Sequence, residues 1–245
     1  MNSESRFNHA ACPTPAWRYD EMKHSGVDYQ DAATAAEYDS RHGRFRDYEA
    51  AARLILDRLE LEPGMTVIDL GCGTGAFALP AARHLKKIHA VDVSAAMLER
   101  LKEKALEAGA ANIETHRAGF LSYVHEGAPA DAAVSAAALH HLPDFWKGVA
   151  LRRLHGALKP GGKFYLFDVV FPFSADQHAA EFDRWVDGMR NQAGDSMAEE
   201  AISHIRDEFS TYGWIMEGLL ERAGFRIEKT FHDFPLCASY VCVKA

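Results

Sequence analysis

Short apolar runs alternate with amphipathic segments along the chain from residue 47 onward. Five runs have the length and apolar character of buried strands: 66–70, 87–91, 113–117, 131–135 and 163–168. Helical spacing of apolar residues marks the segments around them: 47–61, 76–86, 94–109 and a helix that ends at Pro160-Gly161-Gly162. This alternation predicts an α/β fold with a mostly parallel sheet and helices on both faces.

The C-terminal third departs from this alternation. Residues 170–210 contain helical pieces, and a last helix is predicted over 212–223. Two β-rich stretches, 225–231 and 238–243, then form a predicted antiparallel hairpin. The pattern therefore predicts a Rossmann-like open sheet of about seven strands, closed by this hairpin.

The segment before residue 47 is rich in aromatic residues, which is unusual for a flexible linker, and it is too short for a domain. We predict that 1–46 forms a tail and a helical cap, and that Tyr19, Tyr29 and Tyr38 cover a site. Residues 47–245 are then expected to form a single domain, with a substrate-lid insertion at about 170–210.

A glycine-rich loop follows the first predicted strand in the sequence VIDLGCGTG, residues 67–75. Gly71, Gly73 and Gly75 allow tight turns and leave no Cβ between the backbone and a ligand. A strand, such a loop and then a helix form the nucleotide-binding corner of an open α/β sheet. The loop lacks the Gly-Lys-Ser/Thr ending of a triphosphate site.

Two carboxylates at strand ends narrow the choice of ligand. Asp69 precedes the glycines, where it would repel a dinucleotide's pyrophosphate but suit an ammonium group, so it favours S-adenosylmethionine over NAD. Asp92 ends the second strand about twenty residues past the first glycine, a spacing typical of an acid that binds both ribose hydroxyls. A turn or helix-capping acid is the alternative for Asp92.

Charge and composition limit the partners. The formal net charge of −8 argues against broad binding to nucleic acid or to an anionic membrane surface. The four cysteines lack C-x-x-C and metal-ligand spacing, and the N-terminus lacks a secretory signal pattern. We expect a cytoplasmic protein, a monomer or a homodimer, with no bound metal.

Four sequence blocks resemble the class I S-adenosylmethionine-dependent methyltransferases, particularly the small-molecule branch called methyltransferase type 11. They are VIDLGCGTG (67–75), AVDVSAAML (90–98), ALHHLPD (138–144) and LKPGGKFYLFD (158–168). The resemblance covers about residues 60–170, with the blocks in the expected order.

The resemblance implies roles for individual residues of the donor site. Asp69, Gly71 and Gly73 would line the methionine end, Asp92 the ribose, and Val93 and Met97 the adenine. The remaining residues assigned to the cofactor are Gly75, Gly119, Phe120 and Ala136. The family pattern has Gly-Asp-aromatic after the third strand, whereas this chain reads Ala118-Gly119-Phe120 and lacks the acid that bonds the adenine amino group.

The acceptor side is less defined by the sequence. His140 and His141 are candidate general bases, although a packing role fits each of them as well. Residues on the covering segments or at a strand end are candidates for the acceptor, each with a structural alternative: Tyr19, Tyr29, Tyr38, Asp168, His178, Trp185, Arg190 and Tyr212. The fourth strand end lacks an Asn/Asp-Pro-Pro-Tyr sequence and a metal-binding Asp, which disfavours nucleobase, protein-glutamine and metal-dependent catechol substrates.

The predicted function is methyl transfer from S-adenosylmethionine to a small organic acceptor. A tRNA- or protein-directed methyltransferase is the alternative within the class. Outside the class, the alternatives are an NAD-dependent oxidoreductase and a non-catalytic protein that binds the donor.

Overall fold

The computed structural model describes residues 15–23, 25, 26, 28–31, 35, 36, 38, 39 and 47–245. The prediction for the 1–46 segment can therefore be followed only in part, since its other residues and Cys12 lie outside the described ones. Among the described residues, no helix has the length and apolar character needed to cross a membrane.

Eight strands form one sheet system. They are β1 (Thr66–Leu70), β2 (Lys87–Asp92), β3 (Ile113–Arg117), β4 (Ala130–Ala136), β5 (Leu158–Phe171), β6 (Thr211–Tyr212), β7 (Phe225–Phe231) and β8 (Cys237–Lys244). The order across the sheet is β3-β2-β1-β4-β5-β8-β7, and β6 pairs with β5 outside this row. Strands β1 to β5 pair in parallel, while β8 is antiparallel to both β5 and β7. This confirms the predicted Rossmann-like open sheet.

Seven α-helices surround the sheet in the continuous part of the described chain. They are α1 (Tyr48–Leu59), α2 (Ala78–Ala81), α3 (Ala95–Glu107), α4 (Asp144–Ala157), α5 (His178–Ala193), α6 (Asp195–Asp207) and α7 (Gly213–Arg222). Three 3₁₀ turns add to them: Ala82–His84, Leu139–His141 and Ala175–Gln177. Residues 35, 36, 38 and 39 are also helical.

Local capping explains where the helices next to the site begin. The Asp47 side chain accepts a hydrogen bond from Ala50 N at 3.0 Å and starts α1. Ser94 Oγ accepts one from Met97 N at 3.1 Å and starts α3 directly after β2. Helix α1 ends at Glu60, which adopts a left-handed conformation with φ of 52°.

Two apolar clusters, one around Ile68 and Phe164 and one around Val67 and Leu101, form the core. Successive residues of β1 point to opposite faces, so Val67 and Ile68, both fully buried, belong to different clusters. A central strand covered on both faces explains why its sequence is apolar without alternation until Asp69.

Two predicted boundaries needed correction, and one short strand was not predicted. The predicted helix over 76–86 is only Ala78–Ala81 followed by a 3₁₀ turn, because the chain must turn back to begin β2 at Lys87. Strand β5 runs from Leu158 to Phe171, since β4 and β8 offer it partners on both sides, with a register shift near Ala130. The two-residue strand β6 was not predicted, because two residues carry no periodicity.

Candidate functional site

A cavity opens at the carboxyl ends of the parallel strands, around the point where the chain order reverses between β1 and β4. Its walls are the loops after these strands together with part of the N-terminal segment. All predicted cofactor-binding residues except Gly75 line it: Asp69, Gly71, Gly73, Asp92, Val93, Met97, Gly119, Phe120 and Ala136.

The glycine loop needs glycine for two different reasons. Gly71 and Gly73 have φ of 72° and 51°, in the left-handed region that other residues rarely adopt. A Cβ at Gly71 would also collide with the Cβ of Ala138, so the loops after β1 and β4 meet there. Gly75 does not line the cavity; it also has a positive φ, of 91°, and a Cβ there would collide with the Leu101 side chain of α3.

Asp69 forms the cavity floor at the end of β1. It is 3% exposed, and among the described residues its Oδ2 has no hydrogen-bond partner. Burial, together with the nearby charge of Asp92, raises the pKa of Asp69 to about 8. A buried oxygen without a donor needs a cationic or hydrogen-bonding ligand, and the α-ammonium of S-adenosylmethionine fits this requirement.

Asp92 is held rigidly by backbone donors. Gly73 N donates to its Oδ2 and Ser94 N to its Oδ1, each at 2.8 Å. Burial raises its pKa, and these two hydrogen bonds oppose the shift. A carboxylate has about four acceptor sites, so two remain for the hydroxyls of a ribose. The geometry therefore suits the nucleoside part of S-adenosylmethionine.

The N-terminal segment is fastened over this cavity. Ser94 Oγ donates to Tyr29 O at 2.6 Å, and Thr74 Oγ1 donates to Asp39 Oδ1 at 2.5 Å. The rings of Tyr29 and Tyr38, whose centroids lie 5.7 Å apart, both line the cavity. These contacts place two of the three predicted cap tyrosines at the site.

The two candidate bases have different environments. His140 is buried, with Nδ1 2.5 Å from Asp168 Oδ1 and Nε2 3.3 Å from Glu208 Oε2. Burial disfavours its charged form, but these two carboxylates outweigh burial and raise its pKa. His141 lines the cavity, and burial together with the neighbouring His140 lowers its pKa to about 4. His141 is therefore neutral at pH 7, whereas the His140 ring lies between two carboxylates.

Asp168, a candidate for the acceptor, does not line the cavity. It is fully buried, and its oxygens accept hydrogen bonds from the backbone N–H groups of His140 and Val169 and contact the His140 ring. The 3₁₀ turn that contains His140 explains this outcome, because it lies directly over the side chain of Asp168. Asp168 fixes the position of His140, whose neighbour His141 then faces the cavity.

The other predicted acceptor residues lie outside the cavity lining. Tyr19 packs against Trp146 and Phe209 and donates to His141 O at 3.3 Å. His178 and Arg190 are exposed on α5. Trp185 contacts the ring of His204, and Tyr212 stacks on Trp214, so both take part in packing. Their positions relative to the cavity depend on tertiary contacts, which the sequence pattern does not show.

Sequence reasoning missed several cavity residues. Glu21 and Gln30 reach the cavity from the N-terminal segment, and Thr74 and Ser94 reach it from the loops. Ala137 also lines it and has φ of 53°, a strained conformation for a residue with a Cβ. Thr74 and Ser94 lie within recognised motif blocks and were within reach of prediction, whereas Glu21 and Gln30 carry no local signal.

Two groups of described side chains have metal-ligand spacing: His89 with Glu114 and His116, and His140 with His141 and Glu208. In the first, His89 Nδ1 lies 3.0 Å from His116 Nε2, and Glu114 pairs with Lys87 at 2.6 Å. Both groups therefore have contacts within the protein that account for their proximity.

Comparisons with known proteins agree with this geometry. A family model described as a methyltransferase domain matches residues 67–162. An uncharacterised methyltransferase of Mycobacterium tuberculosis is 37% identical over 106 residues, which are 43% of this chain and 51% of that protein. A 23S rRNA (uracil-C5)-methyltransferase of Alcanivorax borkumensis is 46% identical over 63 residues, 26% of this chain and 14% of that protein. The chain thus spans about half of the first relative and a small part of the second.

A solved structure extends the likeness over most of the fold. Magnesium protoporphyrin IX methyltransferase from Synechocystis, with bound S-adenosylhomocysteine, superposes with a TM-score of 0.63 at 16% identity. The alignment covers 89% of this chain and 97% of that one. The strand order and this likeness show the Rossmann-like methyltransferase fold, and the family model matched over residues 67–162 supports a class I S-adenosylmethionine-dependent methyltransferase.

Proposed function

We propose that the protein transfers a methyl group from S-adenosylmethionine to a small organic acceptor and releases S-adenosylhomocysteine. The observation that carries the proposal is Asp69, a buried acid on the cavity floor with an oxygen that has no partner in the described chain. An ammonium group satisfies that oxygen, whereas a dinucleotide pyrophosphate would be repelled by it.

Different residues around Asp69 bind different parts of the donor. Gly71 and Gly73 present bare backbone to the methionine part, and Asp92 accepts from the ribose. The donor supplies a methyl group on a sulfonium, which is already an activated carbon. Holding the acceptor in line with this methyl group therefore supplies much of the rate enhancement. The main role of the protein is then to position the two substrates.

His141 orients the acceptor in this proposal. With a pKa of about 4, its neutral imidazole accepts a hydrogen bond but removes protons poorly at pH 7. We therefore favour acceptors that are nucleophilic without a strong base, such as thiols or amines. Tyr29 and Tyr38 cover the same side of the cavity and exclude water from it.

Two observations support a small acceptor: the N-terminal segment at the cavity and the net charge of the chain. Described residues of the N-terminal segment, among them Tyr29 and Tyr38, form part of the cavity wall, and the formal net charge of −8 opposes binding to tRNA or ribosomal RNA. The same proposal includes a single domain over 47–245 with a substrate lid at 170–210. It also includes a monomer or homodimer in a cytoplasmic location.

Calorimetric titration with S-adenosylmethionine, S-adenosylhomocysteine and NAD tests the proposal first. We expect micromolar binding of the first two and none of NAD, followed by turnover in a screen of small thiols, amines and phenols that detects S-adenosylhomocysteine. Binding of NAD alone would refute the proposal in favour of an oxidoreductase. Donor binding with turnover only on RNA or protein would refute the small acceptor.

A further inference from the structure

Residues 15–23, which we call the strap, are fastened to the loop after β3. The Arg18 guanidinium donates to Leu121 O, and Leu121 N donates to Glu21 Oε2 at 2.7 Å. Both backbone groups of one residue are thus used by the strap. The second hydrogen bond holds the Glu21 carboxylate at the cavity wall, which Glu21 lines.

Gly119 provides the space that Glu21 occupies. A Cβ at position 119 would lie 2.5 Å from Glu21 Oε2 and 2.8 Å from Val93 Cγ1, so these two side chains would have to shift to admit it. An aspartate at position 119 would therefore displace the Glu21 carboxylate from its present place. The chain lacks an acid at 119 and brings one to the same place from about a hundred residues earlier.

The second oxygen of Glu21 has no donor. Oε1 is buried, and within the described part of the chain it has no hydrogen-bond partner. Leaving a buried acceptor unsatisfied is unfavourable, so a ligand that fills the cavity is expected to bring a hydrogen-bond donor to it. The site of this oxygen thus defines where a donor group of the ligand must lie.

The strand order shows which part of the ligand reaches Glu21. Asp69 ends β1 and Asp92 ends β2, and the loop with Gly119 follows β3, the next strand outward. A ligand with its ammonium at Asp69 and its ribose at Asp92 therefore extends its base towards Val93 and Gly119. The exocyclic amine of adenine is a hydrogen-bond donor at the edge of that base.

We infer that Glu21 accepts a hydrogen bond from the adenine amino group and makes the site selective for adenine over 6-oxopurines. This inference rests on the proposed function, because it takes S-adenosylmethionine as the ligand. Glu21 is a specificity residue supplied by the strap, and it acts from the position that the glycine at 119 leaves open.

Replacing Glu21 with glutamine tests the inference through a change of preference. Leu121 N still requires an acceptor, so the amide oxygen stays on it and the amide NH₂ points into the cavity. We would titrate the full-length protein with S-adenosylhomocysteine and with S-inosylhomocysteine, which carries a carbonyl in place of the amino group. The wild type is expected to prefer the adenine ligand by roughly 100-fold, and Glu21→Gln to lose this preference or reverse it.

Arg18→Ala is the matched control, because Arg18 fastens the same strap to the same residue without lining the cavity. Arg18→Ala is expected to weaken the binding of both ligands by a similar factor and to leave the ratio of the two affinities unchanged. A second variant, Gly119→Asp combined with Glu21→Ala, is expected to restore the adenine preference, because the new aspartate places a carboxylate near the site that Glu21 occupies in the wild type.

The outcomes separate the two proposals. If the wild type binds neither ligand, the proposed function fails. If the wild type binds S-adenosylhomocysteine and Glu21→Gln keeps the wild-type ratio, the inference about Glu21 is overturned while the proposed function stands. If Arg18→Ala changes the ratio of the two ligand affinities as much as Glu21→Gln does, the inference about Glu21 is also overturned, since the effect would then come from the position of the strap.

Discussion

The two acids at the strand ends differ in how their charges are satisfied. Asp92 is bound by Gly73 N and Ser94 N before any ligand arrives, whereas an oxygen of Asp69 has no partner among the described residues. Asp92 therefore stabilises the loop as well as the ligand. Asp69 costs stability in the free protein, and that cost is recovered when a cation binds.

Replacing Asp69 with asparagine is expected to stabilise the free protein and abolish donor binding. A folded-state pKa of about 8, raised above the unfolded value, means that ionisation opposes folding increasingly from about pH 4 to pH 8. The gain of Asp69→Asn should thus be larger at pH 8 than at pH 5. We expect a rise in melting temperature of about 4 °C at pH 8, measured by scanning calorimetry.

Asp187→Asn is the control for this experiment, because Asp187 is exposed on α5 and pairs with Arg190 at 2.7 Å. It should change neither the melting temperature nor donor affinity. In the wild type, donor affinity should rise between pH 6 and pH 8 as Asp69 ionises, and a flat profile would contradict the assigned role.

At the scale of elements, the N-terminal segment contacts several parts of the domain. Among them are the loop after β3, reached through Leu121, the glycine loop, reached through Thr74, and the last turn of α3, reached through Lys104. Asp39 makes the last two contacts alone, with oxygens 2.5 Å from Thr74 Oγ1 and 2.6 Å from Lys104 Nζ. A single side chain thus couples the cover of the cavity to its glycine loop.

We expect Asp39→Asn to loosen the cover and to weaken donor binding by about 3- to 10-fold, because it removes a partly buried ion pair worth about 1 kcal/mol. The melting temperature should fall by less than about 4 °C, since the core is untouched. Titration calorimetry with S-adenosylhomocysteine measures the effect. Asp233→Asn, which breaks a comparable pair with Arg58, should leave affinity unchanged.

At the scale of the molecule, the cavity lies at the reversal of the sheet order, where loops from the central strands β1 and β4 meet. These loops continue from the fully buried strand residues Ile68 and Val134. Ligand contacts made by the loops are therefore coupled to the most protected part of the fold, and binding should stabilise the whole domain.

S-adenosylhomocysteine at about 100 times its dissociation constant should stabilise the protein by about 2.7 kcal/mol. For a chain of this length, that corresponds to a rise in melting temperature of roughly 5–10 °C. Asp92→Ala should fold but show no such rise, because the ribose contact is lost. A wild-type rise preserved in this variant would contradict the role of Asp92.

The sequence by itself determined the sheet and the central part of the site. Apolar periodicity is local, so it located β1 to β5, and the motif around Asp69 and Gly71 requires only neighbouring residues to be recognised. Asp92 was found because its spacing from the glycine loop reflects one βαβ unit. These features depend on short segments whose geometry follows from their own residues.

Only the tertiary structure decided which distant side chains reach the cavity. Asp168 ends the predicted fifth strand, yet β5 continues to Phe171 and the Asp168 side chain is fully buried against the turn at His140. Glu21 belongs to a segment with no motif, yet Leu121 N and the open space at Gly119 bring its carboxylate to the cavity wall. Both outcomes depend on contacts between residues far apart in the chain, which local periodicity and spacing do not encode.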